Sequence, residues 1–407
     1  MSERRAPDAT LLIVAGLLTA VGAIMVFSAS SFVGITRYHD AAHFFKRELI
    51  WIALGGAACW FAMKMDYGKL RRAAPWLLAA GILLLVGVLF PHIGTMEGGA
   101  RRWYDLGIIS FEPSEFVKFA LIIFLAKLLS DREDAAHEFS AISFPALFWV
   151  GVCFMLVLRQ PDLGTATLFL ATAFVMLFAG GARLRHLSIG AAVAVPSLLA
   201  FVFASAYRRE RFMAFLNPWQ DPQGKGYHIL QSLYGLGSGG LFGVGLGQSR
   251  QKFGYLPEQY TDFIYSVIGE ELGFIGAAAV LVLFLLFAYR GLRIAMKAED
   301  RFGFFLAIGI TTAIAFQAFI NIGVVTSVWP VTGVPLPFIS YGGTSLVMSL
   351  FGVGLLASIS RGRSRAALAA DEAARSSLGA NFAHRRRHGG SFIPRAVTRA
   401  SALRRAR

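Results

Sequence analysis

Apolar runs close to the length of a membrane-spanning helix recur along almost the whole chain, separated by short polar corners. About 20 consecutive apolar residues suffice to cross a bilayer as helix. On that criterion the pattern predicts spans at 10–30, 48–64, 74–91, 114–129, 142–159, 164–181, 187–206, 263–289, 302–323 and 341–360. The second and fourth carry the weakest apolar signal. The expected fold is all-α, a polytopic integral membrane protein of about ten transmembrane helices. An even number of spans puts both termini on one side of the membrane.

Basic residues decide which side. With the N-terminus inside, the inner segments hold 25 Lys and Arg and the outer segments 12. Without the C-terminal tail the margin falls to 13 against 12, so loop length matters too. Residues 208–261 supply half of the outer count, and long loops translocate with little regard for charge. Both termini are expected in the cytoplasm. The chain then divides into a cytoplasmic N-terminus (1–9), one integral domain (10–360) and a basic tail (361–407).

Three outer loops interrupt the apolar pattern with unusual residues. The longest, 208–262 between spans seven and eight, is a length that is usually either functional or disordered. Its aromatic, Pro and Gly content at turn positions argues for an ordered loop. It holds ten of the chain's 43 glycines, including Gly235-Leu-Gly-Ser-Gly-Gly and Gly243-Val-Gly-Leu-Gly. No strand precedes these runs and no Lys-Ser/Thr follows, so they predict tight re-entrant turns against other backbone, not a nucleotide loop. The loop 324–340 carries three prolines and a glycine that prevent continuous helix. Non-helical backbone survives near a membrane only against protein or a water-filled cavity, so an outward-facing cavity is expected. The third loop, 92–113, contains Arg101-Arg-Trp103.

Composition agrees, with 56% hydrophobic and 15% charged residues. The net charge of +15 is mostly the tail's, where twelve Arg face only Asp371 and Glu372. That tail reads as disordered and held at an anionic inner leaflet or a partner, and not as a nucleic-acid arm. Cys59 and Cys153 fall inside spans and read as small core residues, and the eight His show no zinc spacing. The first span exceeds a signal-peptide core and many spans follow it, so it is read as retained.

Asp262 stands where the polar loop meets the eighth span. Either Thr261 or Asp262 caps that helix, or the carboxylate does chemistry at the outer surface. Glu270 and Glu271 lie roughly two turns further in. There they are functional, or they pair with a basic residue of another span to fix packing. Glu115 and Lys118, spaced i, i+3, make an ordinary intrahelical pair or face a polar cavity. Arg101, Arg102 and Trp103 suit an interfacial anchor. Arg159, Gln160, Pro161 and Asp162 form a polar corner with an expected Arg159–Asp162 ion pair. One carboxylate and several cations around an outer cavity suit an anionic lipid-linked substrate. If the leaving group is a lipid pyrophosphate, it departs without a general acid, whereas a glycosidase normally needs two carboxylates.

Several segments carry a resemblance. They are Gly99-Ala-Arg-Arg-Trp103, Pro113-Ser-Glu-Phe-Val-Lys118, Gln160-Pro-Asp-Leu-Gly-Thr165, Asp221-Pro-Gln-Gly-Lys-Gly-Tyr-His-Ile-Leu-Gln-Ser232, Leu256-Pro-Glu-Gln-Tyr-Thr-Asp-Phe-Ile264, Glu270-Glu-Leu-Gly273 and Pro335-Leu-Pro-Phe-Ile-Ser-Tyr-Gly-Gly343. In this order, over roughly 10–360, the chain resembles the SEDS family (shape, elongation, division and sporulation; FtsW, RodA and SpoVE). Glu112 stands where that family usually has Gln, and Tyr265 where it often has Phe.

The resemblance implies a ten-helix peptidoglycan glycosyltransferase that polymerises lipid II into glycan strands. Asp262 matches the family's outer-loop aspartate, which makes it the expected catalytic base. Glu115 and Lys118 match a conserved pair near it. Arg101, Arg102, Trp103, Arg211, Lys225 and Glu258 join them as substrate-binding or supporting residues. Asp162, Arg159, Glu270 and Glu271 are left as structural candidates. A divalent cation, Mg or Mn, would suit the pyrophosphate, although no ligand set is evident. A class B penicillin-binding protein and other divisome proteins are the implied partners. Asn217-Pro-Trp-Gln-Asp-Pro and Gln231-Ser-Leu-Tyr-Gly-Leu-Gly look more like the FtsW/SpoVE branch than RodA, which favours the division septum. The rival readings are a lipid II flippase or transporter, a RodA-like elongation polymerase, and a non-catalytic scaffold.

Overall fold

The computed structural model describes residues 6–97, 100–105, 107, 110–132 and 139–362. The expected disordered tail and Gly99 of the first matching segment lie outside the described residues. Ten helices run the length of the bundle: α1 (Ala9–Tyr38), α2 (His43–Lys64), α3 (Gly68–Val88), α4 (Pro113–Asp131), α5 (Phe144–Arg159), α6 (Leu163–Ala179), α7 (Leu184–Phe203), α10 (Ile264–Met296), α11 (Arg301–Val325) and α12 (Gly343–Ser360). Each predicted span corresponds to one of them. The weak second and fourth spans are α2 and α4, and each carries four charged side chains within its helix. Six of the ten are long and strongly apolar, and α5 and α6 are shorter apolar helices.

The long loop is ordered, as its composition predicts, and carries two short helices, α8 (Ala206–Leu216) and α9 (Tyr227–Ser238). Three short strands, β1 (Thr95–Glu97), β2 (Ala100–Asp105) and β3 (Ser110–Phe111), form a small antiparallel sheet in the order β1-β2-β3. The all-α expectation did not foresee this sheet. Its register pairs Met96 with Arg101 and Tyr104 with Phe111.

α11 and α12 form the core of the bundle, each with 72% of its most apolar stretch buried, against 11% for α7 at the periphery. Both chain ends of the bundle meet: the Asp8 N–H donates to Ser360 Oγ at 3.0 Å. Asp8 also caps α1 by accepting from Leu11 N at 3.0 Å, and it pairs with Arg290 of α10 at 2.5 Å. The start of α1, the end of α12 and the second half of α10 therefore share one face. The long loop and the sheet occupy the opposite face.

α10 is not one continuous helix. Gly273 takes φ 68° and ψ −170°, far from helical values. In an unbroken helix, Glu270 O and Glu271 O would accept from the N–H groups of Phe274 and Ile275. Residues 240–245 insert between those donors and acceptors. Val244 N and Gly245 N donate to Glu270 O and Glu271 O at 3.0 and 3.1 Å. Phe274 N and Ile275 N donate to Gly240 O and Leu241 O at 2.8 and 3.2 Å. These four main-chain groups of the broken helix are satisfied by the loop, as a low-dielectric interior requires. This is the predicted close approach of glycine-rich backbone to backbone. A Cβ at Gly273 would lie 2.6 Å from Leu241 O, so the joint has no room for a side chain.

Candidate active site

The turn 256–263 leads from the joint to the start of α10 and carries Asp262. The helix cap is Phe263, with no side-chain capping bond. The Thr261 hydroxyl donates to Glu258 Oε2 at 2.9 Å and not into α10. The capping explanation of Asp262 therefore fails, and its carboxylate is left for other work. Its main chain is held on three sides. Asn321 Nδ2 donates to Asp262 O at 2.8 Å, Ser340 Oγ to Thr261 O at 2.6 Å, and Tyr341 N to Tyr260 O at 2.9 Å. Glu258 adopts a left-handed conformation, φ 54°, and its carbonyl accepts from Thr261 N and Phe263 N. A non-glycine residue in that region marks local strain, which clusters at functional sites.

Burial raises the Asp262 carboxyl to about 7. Glu258 and Asp162 push in the same direction, while Arg102 and Arg211 oppose them. Gly333, φ 73°, backs the carboxylate, and a Cβ there would lie 3.5 Å from Oδ2. The result is a carboxylate poised near neutrality among charges of both signs.

Arg102 projects from β2 to the corner after α5. Its Nε donates to Gln160 O at 2.9 Å, Nη2 donates to Pro161 O, and Nη1 lies 3.9 Å from Asp162. Alternation along the strand puts Tyr104 on the same face as Arg102, and Arg101 and Trp103 on the other. The Tyr104 hydroxyl fixes the sheet to the bundle through Leu84 O at 2.7 Å. Asp162 also caps α6 by accepting from Thr165 N at 3.1 Å. The expected Arg159–Asp162 pair is thus replaced by Arg102–Asp162. Arg159, in the last turn of α5, is exposed.

Glu115 and Lys118 make a buried ion pair of 2.5 Å, and Lys118 Nζ also donates to Gln317 Oε1 at 2.7 Å. A buried charge needs this much compensation, so the pair is more than a surface i, i+3 contact. Glu112, just before α4, accepts from Ser114 Oγ at 2.7 Å. Burial, then Glu115 and Asp162, raise its carboxyl to about 8, against Ser114 and Arg102. Arg102 and Asp162 act on both Glu112 and Asp262, so they link the two carboxyls electrostatically.

In the long loop, Arg211 of α8 and Glu258 act on Asp262 and also on His228 of α9. The His228 ring centroid lies 6.0 Å from that of Phe263, and burial lowers its pKa, followed by Arg211. Lys225 is drawn elsewhere, into an exposed ion pair with Glu210 at 2.6 Å. Glu270 and Glu271 belong to the α10 joint. Glu270 accepts from Arg250 N at 2.9 Å and from Ser249 Oγ; Glu271 accepts from Ser28 Oγ at 2.7 Å and Ser249 N at 3.3 Å. Among the described residues no basic side chain pairs with either, so hydroxyl and amide donors replace the expected cation.

Residues that the sequence pattern did not single out are Gln317 and Asn321 of α11, Ser340, and His228. Two amides at i, i+4 in an otherwise apolar span were the available signal for the first pair. Among the described residues no group of three or more His, Cys, Asp or Glu is arranged to hold a metal ion. Asp162, Glu115, Glu112 and Glu258 are engaged by Arg102, Lys118, Ser114 and Thr261, which leaves Asp262 without a set of free carboxylates around it, so the donor set does not fit a protein-held divalent cation.

Ten spans, a loop spliced into a broken helix, and a poised carboxylate on the loop face define a polytopic membrane protein with one acidic centre. A family model described as Cell cycle protein, covering FtsW, RodA and SpoVE, matches residues 8–365. Stage V sporulation protein E of Bacillus subtilis (strain 168) is 45% identical over 360 residues, 88% of this chain and 98% of its own length. A Trichlorobacter lovleyi protein named "probable peptidoglycan glycosyltransferase FtsW" is 45% identical over 366 residues, 90% of this chain and 96% of its own. A solved chain from a peptidoglycan synthase complex, described as coordinating polymerization and crosslinking, superposes with a TM-score of 0.70 at 32% identity, covering 88% of this chain and 98% of that one. The rod shape determining protein RodA of Thermus thermophilus gives a TM-score of 0.65 at 28% identity, over 88% and 97% of the two chains. The chain belongs to the FtsW/RodA/SpoVE family of cell cycle proteins.

Proposed function

We propose that this protein is a peptidoglycan glycosyltransferase that polymerises lipid II at the outer face of the plasma membrane, with Asp262 as general base. The observation that carries the reading is Asp262 itself, a carboxylate unused as a cap, braced through its main chain and raised to about 7. A base with that pKa is ionised in a large fraction at neutral pH and still binds a proton well.

The GlcNAc 4-hydroxyl of the acceptor attacks the MurNAc anomeric carbon of the growing chain. The new C–O bond forms as the bond to undecaprenyl pyrophosphate breaks, and Asp262 takes the hydroxyl proton. The pyrophosphate leaves as an anion, so no general acid is required. Arg102 and Arg211 supply positive charge beside Asp262, which favours charge developing on the leaving group, and Arg101 adds to it from the other side of β2. Glu115 and Lys118 hold the inner wall. No step is routed through a metal, because the donor set does not fit one.

Membership of the family and the likeness to a synthase-complex chain support a partner that cross-links the product, a class B penicillin-binding protein. The relatives named for sporulation and for FtsW support the division branch and a septal location. Both termini are assigned to the cytoplasm by the excess of basic residues, and the Arg-rich tail to the anionic leaflet there.

Purified protein with its transpeptidase partner, given labelled lipid II in detergent, tests the reading. Glycan polymer should form, and Asp262→Asn should abolish it while leaving the melting temperature within a few degrees. Absence of polymer from the wild type under all conditions, with lipid translocation intact in vesicles, would assign the protein to transport instead.

A further inference from the structure

We propose that Asn321 is a positioning residue for the reaction, holding Asp262 at a fixed place relative to the 331–336 segment. The proposal rests on the reading of Asp262 as base. Asn321 lies on α11 and is 1% exposed. Its Nδ2 donates to Asp262 O and to Val334 O, both at 2.8 Å. Both protons of that amide are thus spent on main-chain carbonyls, one on each wall of the site. Gln317, one helical turn earlier, fixes the same segment at the neighbouring residue. Its Nε2 donates to Pro335 O at 3.0 Å while its Oε1 receives Lys118. The segment is therefore a reference held from α11, and Asn321 ties the catalytic turn to it.

The other half of the Asn321 amide argues against a packing role. Among the described residues its Oδ1 is buried with no hydrogen-bond partner. A buried acceptor without a donor carries a desolvation penalty that an apolar side chain of similar size would avoid. What the asparagine supplies, and such a side chain lacks, is the pair of N–H donors. Gly333 fits the same purpose, since it sits within this segment and backs the Asp262 carboxylate.

The test uses the full chain with its transpeptidase partner and two variants, Asn321→Ala and the volume-filling Asn321→Leu. Each should lower kcat tenfold or more with KM for lipid II within twofold of wild type. The acidic limb of the pH–rate profile should move to lower pH, because a released carboxyl regains water. The charges facing it, Glu258, Asp162, Arg102 and Arg211, remain in place. Hydrogen exchange across 258–263 should accelerate. Wild-type kcat, pH limb and exchange in a folded variant would overturn the proposal, as would a raised KM at unchanged kcat, which marks a substrate contact. If neither variant folds, Asn321 is a folding element and the proposal also falls. If the wild type itself makes no polymer, the function reading fails, and exchange at 258–263 still decides whether Asn321 holds the turn.

Discussion

Asp262 combines features that usually exclude one another: an acid half-buried among protein groups and an acid able to ionise at neutral pH. Burial and the neighbouring Glu258 and Asp162 raise its carboxyl, and Arg102 and Arg211 keep the rise moderate. A base must be deprotonated to act, so polymerisation should fall as pH drops through about 7. Arg102→Gln removes a cation that favours the ionised form, so the acidic limb should move to higher pH. A pH–rate profile of the two proteins checks both expectations. From sequence, the position of this residue at a loop–helix boundary was legible, but two roles fitted it equally. What separates them is the geometry of the turn, in which Phe263 caps α10 and Thr261 donates to Glu258, and that turn is held by hydrogen bonds from residues 59 to 79 positions away, beyond any local pattern. Arg102 shows the same limit. Its nearest acid in sequence is not the one it meets, because a strand carries it to the α5–α6 corner.

Ten runs of apolar residues translate directly into ten spans, so the helices are legible in the sequence. The two weak ones, α2 and α4, are weak for a physical reason: α2 carries four charged residues and buries Glu48, and α4 buries the Glu115–Lys118 pair. Strands of two to six residues leave no such signature, and the β1-β2-β3 sheet went unseen. The glycine runs were legible as close backbone contact, although not as a splice into α10. Gly273→Ala tests that joint. Extended backbone at positive φ is open essentially only to glycine and costs a side-chain-bearing residue about 1–3 kcal/mol, and here the Cβ also meets Leu241 O. The variant should lose several degrees of melting temperature and much of its yield in detergent. A variant at Gly56, where a Cβ meets nothing within 4 Å, is the control and should behave as wild type.

At the scale of the molecule, α10 connects the two faces. Its first residues follow Asp262 and its last third holds Arg290, which clasps Asp8 beside Ser360. Asp8→Ala removes both this ion pair and the α1 cap. A lost cap alone is worth about 1 kcal/mol, so thermal unfolding should occur several degrees lower. The acidic limb of the pH–rate profile should stay where it is, because none of the charges acting on Asp262 belongs to that clasp. Chain order adds a constraint on biogenesis. Residues 240–245 leave the ribosome before 270–275, so their main-chain groups wait unpaired until α10 has entered the bilayer. The first half of α10 has the same interval in which to zip into an ordinary helix and shut the loop out. Insertion of the seventh and eighth spans therefore cannot finish as two independent events, and a pause in translation between them would leave the polar edge of the loop open to water or to a chaperone.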